Sequence, residues 1–372
     1  MSSPRSATAA SLEPRSARRV GLVRRGLLGA AWAAGGAIGA IGAMASPAGE
    51  GRSARAQEVL SQALETRSAA ASSRGEAASP EATPAEFDGQ RAYEHLQQLC
   101  ALGPRISGSP GMARQQELLR AHFAALGGAV TMQAVPGRRH PQTGRMTPMA
   151  NLVVVWDAEA QERILLCAHY DTRPLPDQDP DPVQRRTGVF VGANDGASGV
   201  AVLMELGRSL PAGRLGVDFV LFDAEEFVWD DRPEGYFIGS THFAREYRRG
   251  AMGQRYVAGV LLDMVGDRRL SIYQEGHSAT WTDTRPIVEE IWGIAEQLGV
   301  KEFIPQVGYM VRDDHLPLRQ IGRIPVCDVI DFHYPDRTNR HWHATTDVPA
   351  NCAPESLEKV GRVMQQWLKS RR

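Results

Sequence analysis

Short apolar runs alternate with amphipathic segments along most of the chain, and four of these runs are typical of buried strands. They occupy residues 151–156, 164–168, 217–222 and 257–262. Their length fits strands, because helices of globular proteins need about ten or more residues. The first two runs are expected to be neighbouring strands. Acidic residues or a histidine directly follow each of the last three runs.

Helical signals separate these runs. Asp88 is suited to cap a helix that continues to Leu102, and Pro110 is suited to the first turn of a second helix that ends at Leu126. Further helices are predicted over residues 197–210, 240–249, 286–298 and 354–368. Such alternation favours a single α/β domain over residues 85–372, with a twisted, mostly parallel mixed β-sheet that helices cover on both faces.

The first 84 residues lack this alternation. Arginines precede an apolar Ala/Gly-rich segment at residues 26–43, and Ala43-Met44-Ala45 has the small residues of a cleavage site, so residues 1–45 predict an export signal. An uncleaved membrane anchor is the alternative, because the apolar segment is close to the roughly 18 residues of a spanning helix. Arg18-Arg19 fits a twin-arginine signal only loosely.

Residues 46–84 are rich in Ala, Ser, Glu and Pro and have almost no bulky apolar side chains. Such a composition cannot bury enough surface to offset its ordering entropy, so a disordered linker is predicted. The protein is therefore expected outside the cytoplasm, in the periplasm, secreted, or tethered to a membrane through residues 26–43.

Charge and cysteine content narrow the class of protein. The formal net charge is −1, which argues against a nucleic-acid partner.

Cys167 and Cys327 lie in apolar runs and are expected to be buried thiols, whereas Cys100 and Cys352 are left to pair or to stay free. The chain has no CxxC spacing, so a cysteine zinc site is not expected.

The candidate chemistry lies where the predicted strands end. His169 and Asp171 follow one strand two residues apart, a spacing that lets both side chains face one ion. Asp263 follows another strand. Asp195 precedes a helix in a glycine-rich loop, where it fits either an N-cap or a metal ligand, and the other candidates favour the ligand. Since ligands bind at the carboxyl edge of an α/β sheet, these residues predict a zinc-dependent hydrolase or acyl-transfer enzyme.

Two further pairs complete the set. Glu225 and Glu226 are neighbours after a buried strand, so their side chains point in opposite directions, and one can hold a metal while the other acts as a base. His341 and His343 offer a third ligand, although His341 also fits a surface position. Trp342 between them is either a core residue or a wall above the metal.

This ordered set resembles the co-catalytic zinc exopeptidases, which include aminopeptidases and glutaminyl cyclases. The matching segments are His169-Tyr170-Asp171, Gly192-Ala193-Asn194-Asp195, Glu225-Glu226, Leu262-Asp263-Met264 and Trp342-His343. The resemblance covers roughly residues 88–370 and implies a zinc-exopeptidase-like fold. Thr172-Arg173-Pro174, the loop 177–182 and above all Asp313-Asp314-His315-Leu316-Pro317 are similar to bacterial and animal glutaminyl cyclases.

The resemblance also implies roles. Asp195, Glu226 and His343 would hold one zinc ion, and Glu225 would be the general acid/base. Asp263 and Asp313 would complete a hydrogen-bonded network around it. The substrate pocket would be formed by Trp229, Trp342 and Asp328, the last standing where the animal enzymes carry a histidine.

Two reactions fit these residues. A glutaminyl-peptide cyclotransferase would convert the N-terminal Gln of a peptide to pyroglutamate with release of ammonia, and a single zinc ion suffices because the substrate carries its own nucleophile. A zinc aminopeptidase would hydrolyse N-terminal residues and commonly needs two ions. His169 and Asp263 would then bind the second ion, with Asp195 as the bridge. A non-catalytic peptide-binding domain is only a minor alternative. Non-catalytic relatives lose metal ligands, and none of the ligands is missing here. All three would take peptide N-termini as partners.

Overall fold

A six-stranded mixed sheet forms the centre of the computed structural model, which describes residues 85–210, 213–229, 235–250 and 253–371. The strands along the chain are β1 (Ala129–Arg139), β2 (Met146–Trp156), β3 (Glu162–His169), β4 (Gly216–Phe222), β5 (Arg255–Asp263), β6 (Ile272–Gln274), β7 (Phe303–Val307) and β8 (Val326–Ile330). The order in the large sheet is β1-β2-β4-β3-β5-β8, and β6 pairs with β7 in a small parallel sheet. The export signal or anchor and the linker of residues 46–84 lie outside the described residues.

The expectation that runs 151–156 and 164–168 are neighbouring strands is wrong, because these runs belong to β2 and β3, which are not adjacent in the sheet. β4 lies between β2 and β3, so that Leu221 pairs antiparallel with Leu152 and parallel with Ala168. Every residue of β4 is buried, and a strand buried on both faces belongs in the middle of a sheet. The β1–β2 pair is antiparallel and takes the edge, whereas β4, β3, β5 and β8 run parallel.

Asp218 interrupts the apolar run of β4 and is fully buried. The Arg163 guanidinium pairs with it at 2.6 Å, and the Tyr256 hydroxyl donates a hydrogen bond to it, also at 2.6 Å. A buried carboxylate is tolerated when it is paired and hydrogen-bonded in this way.

Helices cover both faces of the sheet, as predicted. They are α1 (Gly89–Ala101), α2 (Pro110–Ala125), α3 (Gln184–Thr187), α4 (Ser198–Leu206), α5 (Ile238–Arg248), α6 (Gly276–Thr280), α7 (Arg285–Gln297), α8 (His315–Gln320) and α9 (Pro354–Arg371), with a 3-10 turn at Pro349–Asn351. Residues of α1, α2, α4, α7 and α9 form one core cluster, and residues of α5 and α8 form another. Alternate residues of β3 enter the two clusters. Asp88 caps α1 and accepts the Arg91 N–H, which confirms that prediction.

Several elements were not predicted. β1 is mostly exposed along its length, so it lacks an apolar run. The short β6, β7, α3, α6 and α8 fall below the length at which periodicity is visible. None of the described helices is long and apolar enough to cross a membrane.

The four cysteines are all free and buried. Cys167 and Cys327 are core thiols, as predicted. Cys100 and Cys352 do not form a disulfide, and both thiols belong to the larger core cluster.

Candidate active site

The parallel strands bring their polar ends to one edge of the sheet. β3 ends at His169 and β5 ends at Asp263, while Glu225 and Glu226 follow β4. A cavity of ≈ 270 Å³ opens at this edge. Its lining includes Asp195, Glu225, Glu226, Asp263, Asp313, Trp342 and His343. The residues predicted to carry the chemistry therefore converge on one space.

Asp195, Glu226 and His343 form a compact donor set in which one ligand atom from each lies within 4.8 Å of the others. His343 Nε2 is 2.8 Å from Glu226 Oε1 and 3.4 Å from Asp195 Oδ2. Asp195 does not cap α4, because the cap position is Ala197 and no side chain bonds there.

This set fits a zinc ion. Asp195 Oδ2 is buried and has no hydrogen-bond partner within the described structure, and such an oxygen is costly unless a cation neutralises it. One imidazole and two carboxylates leave a coordination position open, as catalytic zinc sites require.

His169 joins a second donor set with Asp195 and Asp263. Its Nε2 lies 3.2 Å from Asp195 Oδ1 and 3.2 Å from Asp263 Oδ1. Asp195 thus offers one oxygen to each set. His169, Glu225 and Glu226 satisfy the same 4.8 Å distance, so the number of ions does not follow from the donor geometry.

Asp171 belongs to none of the donor sets found among the described residues, although its Oδ1 lies 3.7 Å from His169 Nδ1. Its carboxylate accepts the backbone N–H of Glu225 at 3.0 Å and that of Glu226 at 3.1 Å. Ala224 just before them has φ 58°, a left-handed conformation that is uncommon outside glycine. Asp171 therefore holds the turn that directs the two glutamates.

The pKa values of the two glutamates shift in opposite directions. Burial and the Glu226 carboxylate raise the pKa of Glu225 well above its usual value. Although burial opposes ionisation of Glu226, His343 and Arg173 lower the pKa of that carboxyl to about 2. Separated pKa values in a carboxylate pair mark one group for charge and the other for proton transfer. Glu226 is suited to bind a cation, and Glu225 to exchange a proton.

Residues without a predicted role hold the donors in place. Arg173 donates its backbone N–H to Glu226 Oε2 at 3.0 Å, and its guanidinium pairs with Asp177 at 2.7 Å. Asp177 Oδ1 in turn lies 3.4 Å from His343 Nδ1. Partners of this kind orient metal ligands. Arg173 and Asp177 lie in segments that resemble glutaminyl cyclases, and that resemblance was the one signal that could have found them.

Asp313 lines the cavity and is 4% exposed. Burial and the neighbouring Asp263 raise the pKa of Asp313 well above its usual value. Asp328, predicted to belong to the substrate pocket, is not among the described residues that line this cavity. It sits on β8 with no exposed surface, 3.5 Å from His315 Nδ1. Asp313, His315 and Asp328 form a buried group behind the cavity.

The two tryptophans differ. The Trp342 ring stacks on the His343 ring with centroids 3.8 Å apart, and Trp342 lines the cavity. Trp229 is not among the described residues that line this cavity. Its ring lies 4.3 Å from His140 and packs on the apolar cluster that includes Phe227.

His341 stays outside the donor sets found among the described residues. It is half-buried, and its Nδ1 lies 2.7 Å from the Thr346 hydroxyl.

The mixed sheet, the two helical layers and the carboxylate–imidazole donors at the carboxyl edge define an enzyme with the zinc exopeptidase fold. The chain belongs to peptidase family M28, whose model matches residues 151–368.

The chain is also similar to individual members of this fold. A glutaminyl cyclase from Fimbriiglobus ruber has 37% sequence identity and a TM-score of 0.70, over 79% of this chain and 99% of that chain. A Zn-dependent exopeptidase from Parabacteroides distasonis has 30% identity and a TM-score of 0.70, over 77% and 99%. The bovine glutaminyl-peptide cyclotransferase-like protein is 25% identical over 71% of both chains. These similarities confirm the predicted fold and family.

Proposed function

We propose that the protein is a zinc-dependent glutaminyl-peptide cyclotransferase, which converts the N-terminal Gln of a peptide to pyroglutamate with release of ammonia. The observation that carries the proposal is the placement of Glu225 in the cavity with Asp263 and Asp313 beside the donor set. The similarity to glutaminyl cyclases, with 37% identity to the Fimbriiglobus ruber enzyme, supports the same reaction.

In this proposal one zinc ion is held by Asp195, Glu226 and His343. When bound, it would polarise the side-chain amide carbonyl of the substrate glutamine. We propose one ion rather than two, because intramolecular attack by the substrate amine requires no activated water.

Glu225 would carry the proton. The α-amine nitrogen forms a bond to the side-chain carbonyl carbon, and the bond from that carbon to the amide nitrogen breaks. Glu225 would accept the proton that the amine loses and return it to the departing nitrogen, which leaves as ammonia. The raised pKa of Glu225 suits a group that must both accept and release a proton near neutral pH.

Asp263 and Asp313 would support this transfer. Both carboxyls line the cavity, and burial together with Asp263 keeps Asp313 in its neutral form at higher pH than usual. A neutral carboxyl can donate a hydrogen bond, whereas a carboxylate only accepts one. The pair can therefore contact both the nitrogen that attacks and the nitrogen that leaves.

A zinc aminopeptidase is the second candidate. The observation in its favour is the donor set of His169, Asp195 and Asp263, which shares Asp195 with the first set. Asp195 would then contribute to the binding of both ions, and two ions held side by side would supply the activation of water that hydrolysis needs.

Mass spectrometry separates the two reactions in one incubation. Zinc-loaded protein is mixed with a Gln-initiated peptide and a Leu-initiated peptide of otherwise identical sequence. The proposal expects loss of ammonia from the Gln peptide and no change in the Leu peptide. Release of free leucine with the Gln peptide intact would establish the aminopeptidase instead.

We also propose that the enzyme acts outside the cytoplasm, on the basis of the basic and apolar pattern of residues 1–45. N-terminal sequencing of protein from fractionated cells tests this. A start near Ser46 in the extracytoplasmic fraction supports a cleaved signal. An intact N-terminus in the membrane fraction supports an anchor through residues 26–43, and recovery only from the cytoplasm contradicts both.

A further inference from the structure

A second cavity, of ≈ 330 Å³, lies beside the active-site cavity. Val311, Ile330 and Phe332 line both cavities, so the two are side by side at the same end of the sheet. The reaction proposed above makes no use of the second one.

Aromatic rings line this second cavity. The His333 ring is 5.1 Å from the Tyr273 ring and 5.5 Å from the Tyr309 ring, measured between centroids. Tyr309 also lies 6.2 Å from Phe332 at an interplanar angle of 78°. Edge-to-face sets of this kind can accept a further ring.

Exposed apolar side chains lie where the two cavities adjoin. Val307 is 59% exposed and Tyr309 53%, and both line the second cavity, whereas Met310, at 65%, lines the active-site cavity. These are three of the six large apolar side chains that are exposed in the described parts of the chain. Apolar side chains clustered next to a cavity are typical of a binding site rather than of an inert surface.

Buried hydrogen bonds hold the wall between the two cavities. Glu275 Oε1 accepts the backbone N–H of Val311 at 3.0 Å and that of His277 at 2.8 Å. Glu275 is 2% exposed, so these bonds are shielded from water. The fold itself therefore fixes this wall, and a fixed wall lowers the ordering cost of binding.

We propose that this cavity is an aromatic subsite, lined by Tyr273, Tyr309, Phe332 and His333, which binds an aromatic side chain at position 2 or 3 of the substrate peptide. The inference rests on the proposed function, because it takes position 1 to occupy the active-site cavity. An extended peptide advances about 3.3 Å per residue, and the two cavities share Val311, Ile330 and Phe332 as a wall, so we place one of the next two residues in the adjoining cavity.

Kinetics with three peptides test the subsite. Ammonia release is measured with zinc-loaded protein and Gln-Ala-Ala, Gln-Phe-Ala and Gln-Ala-Phe amides. We expect kcat/KM for one of the Phe peptides to exceed that for Gln-Ala-Ala on the order of tenfold, from burial of one ring against others. In Tyr309→Ala this ratio should fall toward one. Met146→Ala, which removes an exposed apolar side chain outside both cavities, should keep the ratio.

The outcomes distinguish the two proposals. Equal kcat/KM for all three peptides in an active enzyme would overturn the subsite and leave the cyclase reaction intact. If no Gln peptide releases ammonia, the cyclase proposal fails, and the same comparison is made for hydrolysis of Leu-Ala-Ala, Leu-Phe-Ala and Leu-Ala-Phe amides. A Tyr309-dependent preference there supports the subsite. Lack of preference, or lack of any turnover, overturns it.

Discussion

The Asp347 carboxylate accepts the backbone N–H of Asp195 at 3.1 Å across a separation of 152 residues in the chain. It also accepts the N–H of Asn194 at 2.8 Å, and the Tyr334 hydroxyl donates to it at 2.8 Å. Asp347 is fully buried. The loop that carries Asp195, the donor common to both sets, is therefore held by a carboxylate that lies 152 residues later in the chain.

Asp347→Asn should weaken zinc binding while the fold is retained. The amide that replaces one carboxylate oxygen is a donor and would face a backbone N–H, so the Asp195 loop would lose a hydrogen bond. Loss of such an orienting partner typically lowers metal affinity by about 10–100-fold. Competition with a chromophoric chelator measures the affinity, and the exposed Asp336→Asn serves as the matched control. Unchanged affinity in Asp347→Asn would show that the loop is positioned by other contacts.

Glu225→Gln should abolish turnover and keep the zinc. The amide preserves the size of the side chain but cannot accept and return a proton, and loss of general acid–base catalysis costs roughly 10²–10⁴-fold in rate. Ammonia release and metal content are measured on the same preparation. Loss of zinc in this variant would instead assign the metal to Glu225 and the proton transfer to Glu226.

Metal content separates the two reactions independently of turnover. Under the one-zinc proposal, the purified protein binds about one ion per chain, as catalytic zinc sites with three protein ligands do. His343→Gln should lose it, whereas His169→Asn should retain it. Elemental analysis after dialysis gives the ratio. A ratio near two in the native protein that falls to one in His169→Asn would establish the co-catalytic pair and favour the aminopeptidase.

His95 should make the fold sensitive to mild acid. Burial, the nearby His122 ring and two arginines lower the pKa of the half-buried His95 to about 4 from an ordinary value of 6.5. Its Nε2 has no hydrogen-bond partner in the part of the chain that the structure describes. Between pH 6.5 and 4 the unfolded chain binds a proton that the folded chain does not, so the free energy of unfolding decreases as pH falls through this window.

The measurement is urea unfolding of the wild type and His95→Gln at pH 7 and pH 5. Other buried groups also titrate, so the informative quantity is the difference between the two proteins. The wild type should lose more stability than the variant, by on the order of 1 kcal/mol once the partial exposure of the ring is taken into account. Parallel losses in both proteins would assign the acid sensitivity to other groups.

Local pattern predicted most of the helices and the strand ends, because burial on both faces leaves a continuous apolar run and the first polar residue after it marks the edge of the sheet. His169, Glu226 and Asp263 were found in this way. The central position of β4 could not be found, since it depends on which strands compete for the centre of the sheet. Asp347 contacts Asp195 across 152 residues, and no periodicity extends that far.

The burial of the four cysteines affects how readily their thiols are alkylated or oxidised. Burial raises the pKa of Cys100 to about 12, and it raises the pKa of Cys167 and Cys352 as well. Alkylation and oxidation proceed through the thiolate, so at neutral pH these side chains are protected both by their protonation and by the core around them. The folded enzyme should therefore be indifferent to the redox state of its compartment, and iodoacetamide should modify it only after unfolding.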